Sequence, residues 1–392
     1  MKKVTMTGNH CVAYAVKLSR VKVVSAYPIT PQTTIVEKIS EMVESGEADI
    51  RMIRVESEHS ALAAVYGAAT AGARAFTATS SHGLLYMHEM VWWVAQARIP
   101  VVMAIVTRTI GPPWNIWTDH HDIMGQRDTG WLIAMAESNQ EVLDETIKLF
   151  RITEDPDVYL PGIIGLDAFI LSHTVEPVEV PEQELVDSFL PKRRQPYVVR
   201  SGDPLIMGNV PADPLLNARM RWDVHLGLKN AERVIEEVDR EWGKLTGRYY
   251  GGLVECYMCE DSDYLMVGMG AWTGDMKLAI ERLRHDGYKF GVLRIRYVRP
   301  FPYTRVVEAV KGKKGVLVFD RSVSAGSAGP LFLDLASHLY GNGLRVPVKN
   351  VVAGLAGHDV GYEDFARIAK AFADEVSETG WVSSFLDFYP GR

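Results

Sequence analysis

Apolar and polar residues alternate with two different periods along the first third of the chain. Short β-branched or wholly apolar runs predict strands, which lie at residues 21–26, 51–55, 74–79 and 101–107. Segments with apolar residues at helical spacing predict helices between them, at residues 33–44, 60–71 and 84–96. Repeated strand–helix–strand units indicate an α/β fold with a doubly wound parallel sheet. Ligands of such a sheet bind in the turns that follow the carboxyl ends of the strands.

A second α/β unit is predicted in the last third of the chain. Its strands are predicted at residues 264–267, 290–297 and 315–319, and its helices at residues 275–285 and 329–339. Between the two units, repeated prolines interrupt the pattern. We interpret residues 177–223 as a connecting arm, followed by a helix at residues 226–242. The sequence therefore predicts one domain at residues 1–230, which includes the arm, and another at residues 250–392.

The composition is that of a folded protein and argues against several classes of function. Of the 392 residues, 47% are hydrophobic and 23% are charged, as in ordinary globular domains. The net charge of −7 repels phosphate backbones and anionic lipids, so we expect neither nucleic acid nor membrane partners. No apolar stretch is long enough to span a bilayer. Three cysteines exclude a disulfide framework, and we expect a cytoplasmic protein.

Two motifs that superficially indicate cofactor binding have simpler interpretations. Gly268 and Gly270 follow a predicted strand, but Gly274 comes one residue too late for a dinucleotide-binding fingerprint, so we interpret them as a tight turn. Cys256 and Cys259 form an isolated CxxC pair, whereas a cluster or structural zinc needs four ligands. We interpret these cysteines as incidental residues at a domain junction, with an accessible redox pair as the alternative.

Several histidines fall near predicted turns or helix starts, and we considered them as metal ligands. They are His59, His82, His88, His120 and His121. Adjacent histidines usually point in different directions and so rarely share one ion. We therefore expect no metal site formed by this chain alone.

Residues 27–31, Tyr-Pro-Ile-Thr-Pro, follow the first predicted strand. The two prolines restrict the backbone on either side of Thr30, so its hydroxyl and amide are presented in a stiff geometry. A rigid turn alone would require the prolines but not the threonine. This stretch resembles the α chains of the pyruvate:ferredoxin oxidoreductase family. The resemblance implies that Thr30 binds the substrate carboxylate and that Pro28 and Ile29 lie against the cofactor.

The resemblance continues at residues 55–61, Val-Glu-Ser-Glu-His-Ser-Ala. It implies that Glu58 contacts the aminopyrimidine of thiamine diphosphate. A carboxyl group hydrogen-bonded to the ring nitrogen favours the imino tautomer, whose 4′-nitrogen can remove the C2 proton of the cofactor. A glutamate at a helix start can also be a capping carboxylate, and Glu56 fits that simpler role.

Two later segments extend the predicted site. Residues 76–84 resemble the family's strand-to-helix turn beside the cofactor, which implies cofactor contacts by Ser81 and His82, although the family often has Gln in place of His82. Arg108 follows the most apolar predicted strand and matches an arginine that pairs with the substrate carboxylate. Trp114 lies in the next loop, where pyruvate enzymes more often have small residues. Trp114 here indicates either a substrate pocket shaped for a bulkier acid or simple packing of the loop.

The resemblance covers nearly the whole chain in order. Its further segments are residues 115–117, 126–131, 166–179, 299–302 and 354–360. It implies a pyrimidine-binding domain of a thiamine-diphosphate enzyme, followed by a domain like the carboxyl-terminal domain of transketolase.

The implied activity is coenzyme A-dependent oxidative decarboxylation of a 2-oxoacid, with electrons passing to ferredoxin. Pyruvate is the first candidate substrate. Phenylglyoxylate, 2-oxoisovalerate and oxalate are alternatives, and Thr30 argues against oxalate because the oxalate-using relatives have arginine there. A different thiamine enzyme, or a non-catalytic partner subunit that retains the fold, are the rival classes.

The implied enzyme is a hetero-oligomer. The chain lacks a Gly-Asp-Gly followed by a downstream Asn, so a β subunit is expected to hold the Mg²⁺-diphosphate and one [4Fe–4S] cluster. Ferredoxin-like γ and δ subunits are expected to carry further iron–sulfur clusters.

Overall fold

A computed structural model describes residues 1–203, 205 and 211–391, which contain two large sheets and one two-stranded sheet. The parts of the predicted connecting arm at residues 204 and 206–210 lie outside the described residues. No helix in the described ranges combines the length and apolar character needed to cross a membrane.

Strands and helices alternate along the first part of the chain. The strands are β1 (Lys2–Thr7), β2 (Val23–Ser25), β3 (Arg51–Ile53), β4 (Ala75–Thr79), β5 (Val102–Thr107), β6 (Leu132–Met135), β7 (Gly162–Asp167) and β8 (Val175–Val180). The helices are α1 (Gly8–Leu18), α2 (Thr33–Glu44), α3 (Glu58–Thr70), α4 (Ser81–Tyr86), α5 (His88–Gln96), α6 (His121–Met124), α7 (Asn139–Thr153), α8 (Gln183–Phe189) and α9 (Pro214–Thr246).

The remaining part of the chain forms the second unit. Its strands are β9 (Val254–Tyr257), β10 (Tyr264–Gly268), β11 (Phe290–Ile295), β12 (Tyr297–Arg299), β13 (Gly315–Asp320), β14 (Val348–Val352) and β15 (Leu386–Phe388). Its helices are α10 (Thr273–His285), α11 (Tyr303–Val310), α12 (Pro330–Gly341) and α13 (Tyr362–Thr379), with a 3₁₀ turn at Leu355–Gly357.

The first large sheet has the strand order β12-β6-β7-β5-β4-β2-β3. Its strands are parallel except β12, which pairs antiparallel with β6. Every residue of β4, β5 and β7 is buried, because helices cover both faces of the sheet. This arrangement confirms the predicted doubly wound parallel sheet and explains why its central strands are apolar without alternation.

The second large sheet has the order β15-β14-β13-β10-β11-β9, and only β9 runs antiparallel. Helices α10 and α13 pack against each other beside it. A second hydrophobic core with Trp272, Phe319 and Phe365 fills the space between them. The predicted second α/β unit is therefore present. The proposed domain limits, residues 1–230 and 250–392, stay a prediction.

Four elements differ from the sequence predictions, and three of them are helices or the connecting arm. The predicted helix at residues 84–96 is interrupted at the fully buried Met87, which separates α4 from α5. The predicted arm contains regular structure: β8 pairs antiparallel with β1, and α8 follows it. Helix α9 begins at Pro214, so it is longer than the helix predicted at residues 226–242. An amino-terminal Asp213 cap and a proline in the first turn explain where α9 starts.

The predicted strand at residues 290–297 is divided between two sheets. Strand β11 ends at Ile295 in the second sheet, and β12 begins at Tyr297 in the first. Arg296 lies between them and is 1% exposed. Its guanidinium donates to Glu141 at 2.7 Å and to Glu145 at 2.5 Å, both on α7. These contacts turn the chain toward the first sheet.

Arg294 extends this buried set of charges. It donates to both oxygens of Glu141, at 2.7 and 3.1 Å, and to Glu255 at 2.6 Å. Burial alone would raise the pKa of Glu141, but Arg294 and Arg296 hold it well below its usual range. Glu141 is therefore an ionised carboxylate that serves two buried guanidinium groups.

We expect Glu141→Gln to lower the free energy of unfolding of the chain by about 3 kcal/mol, because removal of one partner leaves buried guanidinium groups uncompensated. Urea unfolding at pH 7 measures this loss. Glu237→Gln is the matched control, since Glu237 pairs with Arg233 on the exposed face of α9 and its loss should leave the urea midpoint unchanged.

The difference between wild type and Glu141→Gln should narrow as the pH falls below about 4.5, the ordinary pKa of a glutamate. In that range the unfolded wild-type chain takes up a proton at residue 141 that the native chain does not. Unfolding curves at pH 7 and pH 4 test this, and a constant difference would contradict an ionised Glu141.

Candidate active site

The strand order of the first large sheet creates a switch point between β2 and β4. The chain runs from β2 outward to β3 and returns to the other side of β2 with β4. Ligands of open α/β sheets bind in the crevice at such a point. The turn at residues 27–31 follows β2, and Ser81 and His82 follow β4. The fold therefore brings both predicted segments to one crevice.

Two buried amide side chains, which the sequence did not single out, support the turn after β2. Asn9 donates to the Pro31 carbonyl at 2.7 Å. Gln32 accepts from the Ile29 N–H at 3.3 Å and donates to the Ala78 carbonyl at 3.0 Å. Both amides are fully buried and both bind backbone groups, so they fix the turn relative to α1 and β4.

Arg108 brings the predicted substrate residues together. Its Nη1 donates to the Thr30 carbonyl at 2.6 Å, and its Nη2 lies 3.2 Å from Nδ1 of His82. The guanidinium lies over the ring of Trp114, 4.9 Å from the centroid. Burial lowers the pKa of Arg108, although the group remains a cation at neutral pH. Four predicted residues thus form one cluster.

Asp122 on α6 joins the turns that follow β4 and β5. Its Oδ2 accepts from the backbone N–H groups of Ser81 at 2.9 Å and Arg108 at 3.0 Å, and its Oδ1 accepts from Ile123 at 2.7 Å. Burial raises the pKa of Asp122 to about 7 against the opposing effect of these donors. The Ser81 hydroxyl donates to the Thr109 carbonyl, so this side chain builds the turn itself.

Glu58 begins α3 and is 8% exposed. Its carboxylate packs against Gly83, where an added Cβ would lie 2.6 Å from Oε1 of Glu58 and 2.6 Å from Oγ1 of Thr79. The Thr79 hydroxyl is buried without a hydrogen-bond partner within residues 1–203, 205 and 211–391. A buried carboxylate beside a free hydroxyl fits a polar heterocycle. Glu56, by contrast, is exposed and accepts from the Ser60 hydroxyl at 2.5 Å.

The adjacent histidines bind protein groups in different directions. His120 is fully buried and lies 2.9 Å from Asp167 at the end of β7. His121 lies 3.2 Å from Asp119 and accepts from the Val323 N–H at 3.1 Å. No group of three or more potential metal ligands occurs in the described part of the chain.

The fold shows what surrounds the glycine turn at Gly270 and the CxxC pair at Cys256 and Cys259. Gly270 has a φ of +81°, and a Cβ there would lie 2.6 Å from Oδ2 of Asp167. Only glycine allows so close an approach in this conformation. Cys256 is exposed on β9, whereas the buried Cys259 donates to the Val292 carbonyl at 3.2 Å.

Comparison with known proteins finds similarity along nearly the whole chain. A family model described as "Pyruvate flavodoxin/ferredoxin oxidoreductase, thiamine diP-bdg" matches residues 14–240, and "Pyruvate:ferredoxin oxidoreductase core domain II" matches residues 262–365. Ketoisovalerate oxidoreductase subunit VorA of Pyrococcus abyssi is 44% identical over 99% of this chain and 98% of its own length. Pyruvate synthase subunit PorA of Pyrococcus furiosus is 42% identical over 98% of this chain and 96% of its own length.

Two solved structures share the fold. The 2-oxoglutarate:ferredoxin oxidoreductase from Magnetococcus marinus aligns with a TM-score of 0.70 and 18% identity, over 94% of this chain and 65% of that chain. A split-gene transketolase aligns with a TM-score of 0.54 and 12% identity, over 93% of this chain and 97% of that chain. Together with the family match, they confirm the predicted thiamine-diphosphate-enzyme fold with a transketolase-like second unit.

We expect Gly83→Ala to lower the thermal midpoint of the chain, because its Cβ would collide with Glu58 and Thr79. Gly67→Ala is the control: Gly67 lies on the exposed face of α3 with open space around it, and alanine is a better helix former there. Thermal unfolding of both variants tests the contact. A thermal midpoint of Gly83→Ala equal to that of the wild-type chain would show that Glu58 does not pack against Gly83.

Proposed function

The chain belongs to the pyruvate flavodoxin/ferredoxin oxidoreductase family, and from this premise we propose that it is the α subunit of a 2-oxoacid:ferredoxin oxidoreductase. One observation carries the proposal. Arg108 lies within hydrogen-bonding distance of both Thr30 and His82 at the switch point of a thiamine-diphosphate-binding fold.

The cofactor contact is assigned to Glu58, with Pro28 and Ile29 as the neighbouring wall. Glu58 is buried beside the free Thr79 hydroxyl, whereas Pro28 is exposed and Ile29 is partly exposed. Glu58 would hold a proton at the pyrimidine ring nitrogen. When bound, thiamine diphosphate supplies the nucleophilic carbon and the electron sink of the reaction.

The substrate carboxylate is assigned to Arg108 and Thr30. The buried guanidinium is a permanent positive charge whose Nε has no partner among residues 1–203, 205 and 211–391. The guanidinium nitrogen Nη2 lies beside the His82 ring and not beside a carboxylate, so a substrate carboxylate could bind there while Nη1 keeps its contact with the Thr30 carbonyl. Arg108 and Thr30 would hold the carboxylate so that the carbon–carbon bond broken in decarboxylation is correctly oriented. Trp114 would form one wall of the space for the side chain of the acid.

In the proposed overall reaction, one 2-oxoacid anion, one coenzyme A and two oxidised ferredoxins give acyl-coenzyme A, carbon dioxide, two reduced ferredoxins and one proton. A β subunit would hold the Mg²⁺-diphosphate and one [4Fe–4S] cluster. Ferredoxin-like γ and δ subunits would carry further clusters.

An exposed apolar surface beside the crevice supports a partner at this place. Its residues are Tyr27, Leu85, Tyr86, Trp114 and Trp117, each more than one third exposed. Large apolar side chains exposed together beside a site are typical of protein interfaces. We assign it to the β subunit, which would close the crevice over Glu58 and Arg108.

For the substrate we place 2-oxoisovalerate first and pyruvate second. Trp114 is 53% exposed, and a Cβ on Gly111 would have open space around it, so the loop leaves room for a branched side chain. Three relatives named as ketoisovalerate oxidoreductase subunits are 43% to 44% identical to this chain. Those named as pyruvate synthase subunits are 38% to 42% identical.

We expect Glu58→Gln to reduce kcat of the assembled complex at least about 100-fold, because a proton contact of this kind contributes two or more orders of magnitude. Glu56→Gln is the matched control, since Glu56 is exposed two residues away and accepts from the Ser60 hydroxyl. Coenzyme A-dependent reduction of a viologen dye measures both. Turnover retained in Glu58→Gln would remove the cofactor role from this residue.

A panel of 2-oxoacids on the complex, purified through a tag on this chain, tests the activity and the substrate together. We expect kcat/KM for 2-oxoisovalerate to exceed that for pyruvate at least about tenfold, the usual effect of filling a hydrophobic pocket. Phenylglyoxylate and 2-oxoglutarate complete the panel. A complex without iron or thiamine that reduces no dye would refute the enzymatic proposal.

A further inference from the structure

The imidazole of His82 lies between two hydrogen-bond donors. The Gly111 backbone N–H points at Nε2 from 2.9 Å, and the Arg108 guanidinium nitrogen Nη2 lies 3.2 Å from Nδ1. A peptide N–H and a guanidinium both donate, and neither accepts. A neutral imidazole accepts at only one nitrogen, and a protonated one accepts at neither. One of the two contacts must therefore bring N–H against N–H.

The Gly111 contact decides which nitrogen accepts. It is the shorter of the two, and its donor belongs to the backbone and cannot rotate away as a side chain can. Nε2 therefore accepts, and the hydrogen of the neutral ring lies on Nδ1, beside Arg108. Partial burial and the positive charge of Arg108 both lower the pKa of His82, so the ring stays neutral in the physiological range.

Two donors then converge without an acceptor between them. Arg108 has its Nη1 on the Thr30 carbonyl, while its Nη2 meets the Nδ1–H of His82. Facing donors of this kind are unfavourable unless an anionic oxygen lies beside both, because each then has a partner. Trp114 covers the pair, with its ring under the guanidinium at 4.9 Å and edge-on to the imidazole at 5.4 Å.

We propose that His82 is a substrate-binding residue, whose Nδ1–H donates a hydrogen bond to the same 2-oxoacid carboxylate that Arg108 binds. This inference rests on the proposed function and replaces the cofactor contact that the sequence predicted for His82. The carboxylate oxygen occupies the place where the two donors meet. Arg108 supplies the positive charge that attracts the carboxylate. His82 orients the carboxylate, because the Gly111 N–H holds the imidazole ring in place.

The test compares two variants of His82 in the assembled complex. In His82→Asn the side-chain amide lies near the position of Nδ1 and can still donate, whereas His82→Phe keeps a ring of similar shape without a donor. We expect His82→Phe to raise KM for 2-oxoisovalerate about tenfold, the loss of one hydrogen bond to a charged group. His82→Asn should stay within about threefold of wild type, and KM for coenzyme A should not change.

Competitive inhibition separates carboxylate binding from support of the loop. We would measure Ki for 3-methylbutanoate and for its primary amide, which has the same shape without the charge. His82→Phe should weaken binding of the carboxylate more than binding of the amide, because the hydrogen bond to the charged acceptor is the stronger one. If both inhibitors weaken equally, or if His82→Asn is as impaired as His82→Phe, the histidine merely supports the loop at Gly111 and the proposal is wrong.

Failure of this inference and failure of the proposed function give different results. Turnover of 2-oxoacids by the wild-type complex tests the proposed function. The ratio of KM for 2-oxoisovalerate in His82→Phe to that in His82→Asn tests the role of His82. An unchanged KM in His82→Phe, with normal wild-type turnover, would overturn the inference and leave the function intact. Thermal midpoints of both variants show whether each has folded.

Discussion

The division of the chain between its two large sheets depends on the buried guanidinium of Arg296. This group donates to Glu141, Glu145 and the Gly252 carbonyl, and it is 1% exposed. A charge desolvated to this extent is tolerated only where acceptors surround it. Both glutamates lie on α7, which packs on the first sheet. The chain therefore leaves the second sheet after β11, and β12 pairs with β6.

A second buried ion cluster connects the same two units nearer to the candidate site. Asp167 at the end of β7 lies 2.9 Å from His120 and 3.4 Å from Arg321, and it accepts from the Ala271 N–H at 2.7 Å. Burial alone would raise the pKa of Asp167, but His120 and Arg321 lower it well below its usual range. His120 immediately precedes α6, which carries Asp122. The second unit thus helps to position the turns that Asp122 joins.

The contrast between local and distant contacts explains what the sequence predicted. The apolar runs of the central strands depend on burial alone, and they were predicted correctly. The division of residues 290–297 depends on Glu141, which is 155 residues away from Arg296, and no local pattern contains it. In the site, motifs predicted Thr30 and Arg108, and the fold brings them together. The amides beneath the turn and Asp122 were missed, because a polar residue in an ordinary segment has no signature until its backbone partner is known.

Buried polar groups without a hydrogen-bond partner indicate where this chain needs a ligand or a partner. The buried charges around Arg296 are matched closely. Around the switch point, however, the Thr79 hydroxyl and Nε of Arg108 have no partner among the described residues, and His82 faces one donor too many. Such groups destabilise a folded chain by roughly 1–3 kcal/mol each unless something binds them. These groups lie at the carboxyl ends of β4 and β5, beside exposed apolar side chains, where the proposed ligand and partner subunit would bind and offset that cost together.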